Sequence, residues 1–297
     1  DLTYLPFKTY CKARGAEIVE SPLGADLSVD LGDIACRVRE TRADAVYLVN
    51  PNNPTGIALA DTQALLRLIH AHPETCFFID EAYIDYVQDP QAITLVDATR
   101  RLRNLLVFRT FSKAYGMAGL KLGYVVADES IISQFRTAAI PYRVSNLQVL
   151  LGIFALKDRD HLDRARAINA AQIRQLTEFF RSNFADHLRV YDSCTNFILA
   201  RSRSGRCLSA LQQKIEDDGY VLKKFSEFPD CLRISTTEES QFSSFSTYLQ
   251  SNIKRLKAFM EQTMRANLDE LADVLIGHMH SDVGDIGVRK ADIDGYF

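Results

Sequence analysis

A chain of 297 residues, 47% of them apolar, can bury the cores of one large α/β domain and a smaller one. A formal net charge of −3 at pH 7 argues against a surface built for nucleic-acid backbones or anionic membranes. Six cysteines without a C-x-x-C pair argue against a zinc knuckle or a disulfide framework and for a reducing, cytoplasmic setting, and the longest apolar run, "LQVLLGIFAL" from Leu147, is too short to span a bilayer.

From Gly15 to Asp128, β-rich runs alternate with helical or turn segments: "AEIVE", "DAVYLVN", "CFFIDEAY", "LLVFRTFS" and "LGYVVA". That alternation predicts a mostly parallel sheet covered on both faces, with ligands gathering at the carboxyl ends of its strands. After Asp128 the pattern turns helical: "ESIISQFRTAAI", "NLQVLLGIFALKD", then a long run from Asp160 to about Ala185. Strands are then expected at "TNFILARS", "YVLKKF" and "CLRIST", with helices near Leu208 to Asp217 and from Glu238 to about Met260. The expected division is therefore 1–145 for a large domain, 146–262 for a connecting helix and a small α+β domain, and 263–297 for a tail of unassigned role.

Three stretches carry chemistry, and each follows an apolar run. "NPNNPTG", Asn50 to Gly56, has two prolines and a glycine that fix a tight loop and leave asparagine side chains facing the strand end. It reads as a plain β-to-α turn or as part of a site. Asp80 ends the strand "CFFID", where a buried carboxylate needs a cation or a donor. A helix cap would satisfy it, and so would the pyridinium nitrogen of pyridoxal phosphate.

The third stretch is "FRTFSKAYGMAGLKLGYVVA", Phe108 to Ala127. A lysine that forms a Schiff base must sit partly desolvated near other positive charge, so that its amine is neutral often enough to attack. Lys113 has that setting. Thr110 and Ser112 can donate to a phosphate, and Lys121 can add charge to it. The glycines here precede a strand instead of opening a helix after one, which excludes a dinucleotide fingerprint.

"NPNNPTG", "DEAY" and "SKAYGMAGLKLGY", in this order, resemble the fold-type I pyridoxal-phosphate-dependent aminotransferases, most nearly the histidinol-phosphate aminotransferases. "LTYLPFKTY", "IPYRVSNLQ" and "CLRIS" are similar to further motifs of that family, and the likeness runs from Leu2 to about Leu256. The resemblance implies Lys113 as Schiff-base lysine and proton carrier, Asp80 on the ring nitrogen, and Tyr83 and Asn53 on the ring oxygen. It implies Tyr4 stacked on the ring, Thr110, Ser112 and Lys121 on the phosphate, and Arg233 on the substrate α-carboxylate, with Asn196 and Lys223 beside the substrate. It further implies a small-molecule amino donor paired with a 2-oxo acid, a homodimer, and an N-terminal segment that this chain lacks, so that the chain reads as a fragment.

Departures from the family pattern bear on the substrate. Lys121 and Lys223 stand where arginines are usual, which keeps the charge and loses the fork. The alternatives are a decarboxylase of the threonine-phosphate type on the same fold, or a truncated remnant without catalysis. His278-x-His280 lacks a second ligand cluster and implies no metal, and His70-x-His72 suits a helix C-terminus.

Overall fold

The computed structural model describes residues 2–138, 143–225 and 227–262. The tail piece "NLDELADVLIGHMH", with His278 and His280, and the Pro141–Tyr142 pair lie outside the described residues.

The first sheet is built from β1 (Ala45–Val49), β2 (Cys76–Asp80), β3 (Leu105–Thr110) and β4 (Gly123–Val126), in that spatial order. β1, β2 and β3 run parallel, and β4 returns antiparallel beside β3. Close pairing there requires Gly123, because a Cβ on it would come within 2.8 Å of the Arg109 carbonyl oxygen. Side chains alternate between the two faces of each strand. One face presents Leu48, Phe77, Ile79, Leu105 and Val107 to Ile34 and Val38 of α2 (Leu31–Thr41) and to Leu65, Leu68 and Ile69 of α3 (Thr62–Ala71). Both helices start where a carboxylate takes up free N–H groups: Asp30 accepts from Gly32 and Asp33, and Asp61 from Ala64.

The opposite face is covered less completely. Tyr47, Phe78 and Phe108 are only half-buried there, and Phe7 of α1 (Leu5–Ala13) lies on Tyr47 with ring centroids 3.8 Å apart.

Beyond α4 (Glu129–Ala138), the helix α5 (Asn146–Lys157) begins in a reciprocal cap between Ser145 and Gln148. Then α6 (Arg159–Phe184) runs for 26 residues. Near its start it touches the first sheet's loops, with His161 Nε2 3.1 Å from the Ala114 carbonyl and Arg166 Nε donating to the Asp85 carbonyl. Towards its end Ile173, Leu176, Phe180 and Phe184 enter a second core. That core packs α6, α7 (Ser209–Asp217) and α8 (Glu239–Ser251) on an antiparallel sheet of β5 (Leu188–Val190), β6 (Phe197–Ser202) and β7 (Cys231–Ser235).

Two strand expectations are corrected. "AEIVE" joins no sheet among the described residues: the Ala16 N–H donates back to the Cys11 carbonyl of α1, and Glu20 pairs with Lys8 of the same helix. "YVLKKF" contributes one bridge, Lys223 opposite Arg233, and no strand. The third strand of the second sheet is the short Leu188–Val190, which lies just after the long helix.

An ion-pair cluster ties β2 to β3 beside the sheet. Glu81 has no exposed side-chain surface and Arg109 only 12%, and Arg109 Nε donates to Glu81 Oε2 at 2.8 Å. Thr94 donates to the same carboxylate, Leu95 N–H to its other oxygen, and Asp85 sits 3.6 Å from Arg109 Nη1. Removing one partner of such a pair strands the other in low dielectric. Glu81→Ala is therefore expected to lower unfolding free energy by about 3–5 kcal/mol, read as a drop in the urea midpoint. An unchanged midpoint would mean that water reaches this pair.

Candidate active site

The carboxyl ends of β1, β2 and β3 open onto one region, which is where a parallel sheet offers loops that can meet a ligand. The β1 loop comes first. All seven residues from Asn50 to Gly56 are buried, and Asn50–Pro51 and Asn53–Pro54 are cis. The loop is fastened from within and from both sides. Asn52 Nδ2 donates to the Leu2 carbonyl and to Thr55 Oγ1, Thr3 donates to Asn52 Oδ1, and the Gly56 carbonyl accepts from Cys194 N–H at 2.9 Å. Gly56 has φ +76°, and a Cβ there would fall 2.3 Å from Ser193 Oγ. Only glycine meets both demands.

At the end of β2, Asp80 is held by two donors: Tyr47 hydroxyl to Oδ2 at 2.8 Å and Ala82 N–H to Oδ1 at 3.0 Å. Asp80 does not cap a helix: the short turn Ile84–Tyr86 is entered from Tyr83 without a side-chain cap, and Asp80 Oδ1 accepts instead from the Ala82 N–H two residues on. Burial raises its proton affinity above that of an ordinary aspartate, and the Tyr47 hydroxyl, the Ala82 N–H and the charge of Lys113 oppose that rise.

Lys113 follows β3. Its Nζ lies 5.2 Å from the centre of the Tyr83 ring. Burial, and next the positive charge of Arg233, push its amine below the usual lysine range, while Tyr4 and Asp80 act the other way. Arg233 reaches in from β7. Its guanidinium stands over the Phe197 ring at 4.6 Å and near Phe225 at 5.9 Å, and its Nη1 donates to Asn53 Oδ1 at 2.8 Å. Among the described residues, neither its Nε nor Asn50 Nδ2, both buried, has a hydrogen-bond partner. Burial also lowers the proton affinity of Arg233, with Tyr83 opposing.

Asp80, Tyr83, Lys113, Asn53 and Arg233 are therefore brought together, with Tyr4 close enough to bear electrostatically on Lys113 and Tyr47. Lys223 is exposed, and its bridge to Arg233 puts the two side chains on one face. Thr110 Oγ1 is 3.3 Å from the Leu122 carbonyl and accepts from Ser112 N–H, so that hydroxyl is already engaged. Lys121 is exposed in a left-handed conformation, φ +52°, and its ammonium makes no ion pair among the described residues. The carbonyl of Asn196 accepts from Thr236, which fixes the entry to β6. The residue that sequence reasoning missed is Tyr47. The signal for it was alternation along β1, since Val49 pairs with Asp80 in register and Tyr47 shares its face.

The sequence profile of the aminotransferase class I and II family matches residues 1–245. A histidinol-phosphate aminotransferase of Listeria welshimeri is 32% identical over 252 residues, covering 84% of this chain and 68% of that protein. The structure of histidinol-phosphate aminotransferase from Sinorhizobium meliloti in complex with pyridoxal-5'-phosphate aligns with a TM-score of 0.75 at 25% identity, over 86% of this chain and 69% of that one. L-threonine-O-3-phosphate decarboxylase from Porphyromonas gingivalis aligns with a TM-score of 0.68 at 23% identity, over 85% of this chain and 75% of that one, which is a likeness of fold.

The depressed amine gives a test that needs no ligand. Lys113 is expected to react with trinitrobenzenesulfonate at lower pH than the exposed lysines, located by peptide mapping. Arg233→Gln should move its rate-against-pH curve upward, because the neighbouring positive charge is gone. A curve that stays put would remove Arg233 as a cause.

Proposed function

The chain belongs to the class I and II aminotransferases, a pyridoxal-phosphate-dependent family that includes its histidinol-phosphate aminotransferase relatives, and we propose that it moves an amino group between an anionic, histidinol-phosphate-like donor and 2-oxoglutarate. The observation that carries this reading is the meeting of Lys113, Asp80 and Arg233 at the carboxyl ends of a parallel sheet, in the family's own order along the chain. The fold agrees with the fold-type I architecture.

The residues suit pyridoxal phosphate. A half-buried carboxylate stands ready for a ring nitrogen, the amine of Lys113 is pushed below the usual lysine range, and buried N–H groups on Arg233 and Asn50 await acceptors. When bound, the cofactor supplies a sink for the electrons released at the substrate Cα. In this reading Lys113 holds the cofactor covalently and carries the proton at Cα. Asp80 holds the ring nitrogen, Tyr83 and Asn53 face the ring oxygen, and Tyr4 covers the ring. Ser112 and Lys121 face the phosphate, as does Thr110 once its hydroxyl turns from the Leu122 carbonyl. Arg233 takes the substrate α-carboxylate, with Asn196 alongside, and exposed Lys223 draws the donor's distal anion by charge, not by a fork.

The same reading divides the chain near residue 145, in keeping with a separate core for each sheet. It also makes the active form a cytoplasmic homodimer. Supporting a pairing surface, α5 leaves Leu147, Leu150, Ile153 and Phe154 between 45% and 63% exposed. No helix among the described residues is long and apolar enough to cross a membrane.

The purified protein with added pyridoxal phosphate is expected to show a visible band that borohydride removes, and to form glutamate from histidinol phosphate and 2-oxoglutarate. Lys113→Ala should abolish the band without unfolding the protein. Release of carbon dioxide without glutamate would instead indicate the decarboxylase reaction, and the absence of any band would indicate a remnant without catalysis.

Asp80→Asn should keep most of the cofactor affinity and lower kcat by about a hundredfold or more, the scale of removing a principal electrostatic group. A variant within a few-fold of the parent would end the role given to Asp80.

A further inference from the structure

To hold a ring nitrogen, the Asp80 carboxylate must itself be held in place and kept ionised. A carboxylate offers several acceptor positions, and each donor that fills one restricts its rotation and favours its charged form. Among the described residues Asp80 has two such donors, one per oxygen, and one of them is a side chain. Tyr47 lies on β1, two residues before the position in register with Asp80, on the same face of the sheet. Its ring is stacked on Phe7 at 3.8 Å and 13°, which sets the direction of its hydroxyl.

We propose that Tyr47 is a positioning residue for the reaction, its hydroxyl orienting the Asp80 carboxylate and keeping it ionised to hold the ring nitrogen of bound pyridoxal phosphate. This rests on the cofactor reading given above and adds a residue to it. Tyr47 acts as a donor throughout the working pH range, because burial, and then the charge of Asp80, push its own ionisation far up. The other titratable groups facing this pair are Tyr4 before α1, Tyr83 after β2 and Lys113 after β3, with Arg233 of β7 bearing on Tyr83 and Lys113.

Loss of the hydroxyl has a definite sign. Asp80 with one donor fewer holds a proton more readily, so the ring nitrogen keeps less of the positive charge shared between them. A less positive ring lowers the proton affinity of the lysine nitrogen less, because like charges oppose each other. The pH midpoint of the visible band should therefore rise in Tyr47→Phe. The weaker sink should also lower kcat, with KM nearly unchanged.

The test is a spectrophotometric pH titration of the pyridoxal-phosphate-loaded protein, with steady-state kinetics beside it. For Tyr47→Phe the expected result is a midpoint raised by about half a unit or more, kcat down by about tenfold, and KM within about twofold. Because phenylalanine keeps the stack on Phe7, a merely structural role would leave midpoint and kcat where they were, and that result overturns the proposal. In an Asp80→Asn background Tyr47→Phe should add no further shift, and a shift that persists there also overturns it. Should Tyr47→Phe fail to fold, Phe7→Leu loosens the ring without removing the hydroxyl. It should raise the midpoint by a smaller amount, and an unmoved midpoint counts against the proposal. A parent protein with no visible band would overturn the cofactor reading and this inference together, whereas a band identical in parent and Tyr47→Phe overturns this inference alone.

Discussion

The guanidinium of Arg233 stands over the Phe197 ring, gives an N–H to Asn53 Oδ1, and has one buried N–H without a partner among the described residues. A charge taken out of water must be met by dipoles or by an opposite charge, and here the dipole comes from the first sheet while the cation comes from the second. That constraint explains why the β1 loop is so tightly built. Asn53 can meet Arg233 only if the loop keeps its shape, and the loop keeps its shape through Asn52, Thr55 and the Gly56 contact with Ser193 and Cys194. The seam at Gly56 and the hydrogen bond to Asn53 therefore serve one end. They set where a guanidinium from the second sheet stands relative to Lys113.

Two adjacent carboxylates show how alternation in a strand separates chemistry from support. Asp80 takes the hydroxyl of Tyr47 and feels Lys113, whereas Glu81 is closed in by Arg109, Thr94 and the Leu95 N–H. Burial raises the proton affinity of both. They differ in what else they can accept. Glu81 is satisfied by a cation bonded to it, so its charge is spent on joining β2 to β3. Asp80 has donors but no bonded cation, and so it retains attraction for one.

Much of this was legible in the sequence. β1, β2 and β3 are apolar runs that end abruptly in polar, turn-forming residues, and a parallel sheet turns such endings into neighbours. Asn53, Asp80 and Lys113 could thus be named before their distances were known. The partners that hold them were not legible, because they depend on register. Nothing in "AVYLV" marks Tyr47 as different from its apolar neighbours until Val49 is set beside Asp80. Arg109 likewise reads as one charge in a strand until Glu81 is seen across from it. The errors over "AEIVE" and "YVLKKF" have the same origin. β propensity describes a segment, whereas a strand also needs repeated pairing with a neighbour: Tyr220–Phe225 meets the outer edge of β7 only at the Lys223–Arg233 bridge, while Leu188–Val190 pairs along β6.

The cations also depend on one another. Burial lowers the proton affinity of Lys113 first, and Arg233 lowers it further. Lys223, opposite Arg233 in the bridge, adds a third positive group on that face, and no anion among the described residues pairs with either Arg233 or Lys223. An acid that bound at Arg233 would satisfy the idle Nε and cancel the field that Lys113 feels. With that field removed, burial alone would act against the lysine, and its nitrogen would take a proton more readily than before. Neutralising that guanidinium would then itself raise the basicity of Lys113. The coupling needs no movement of the backbone, only the distance that the β1 loop already sets between Arg233 and Lys113.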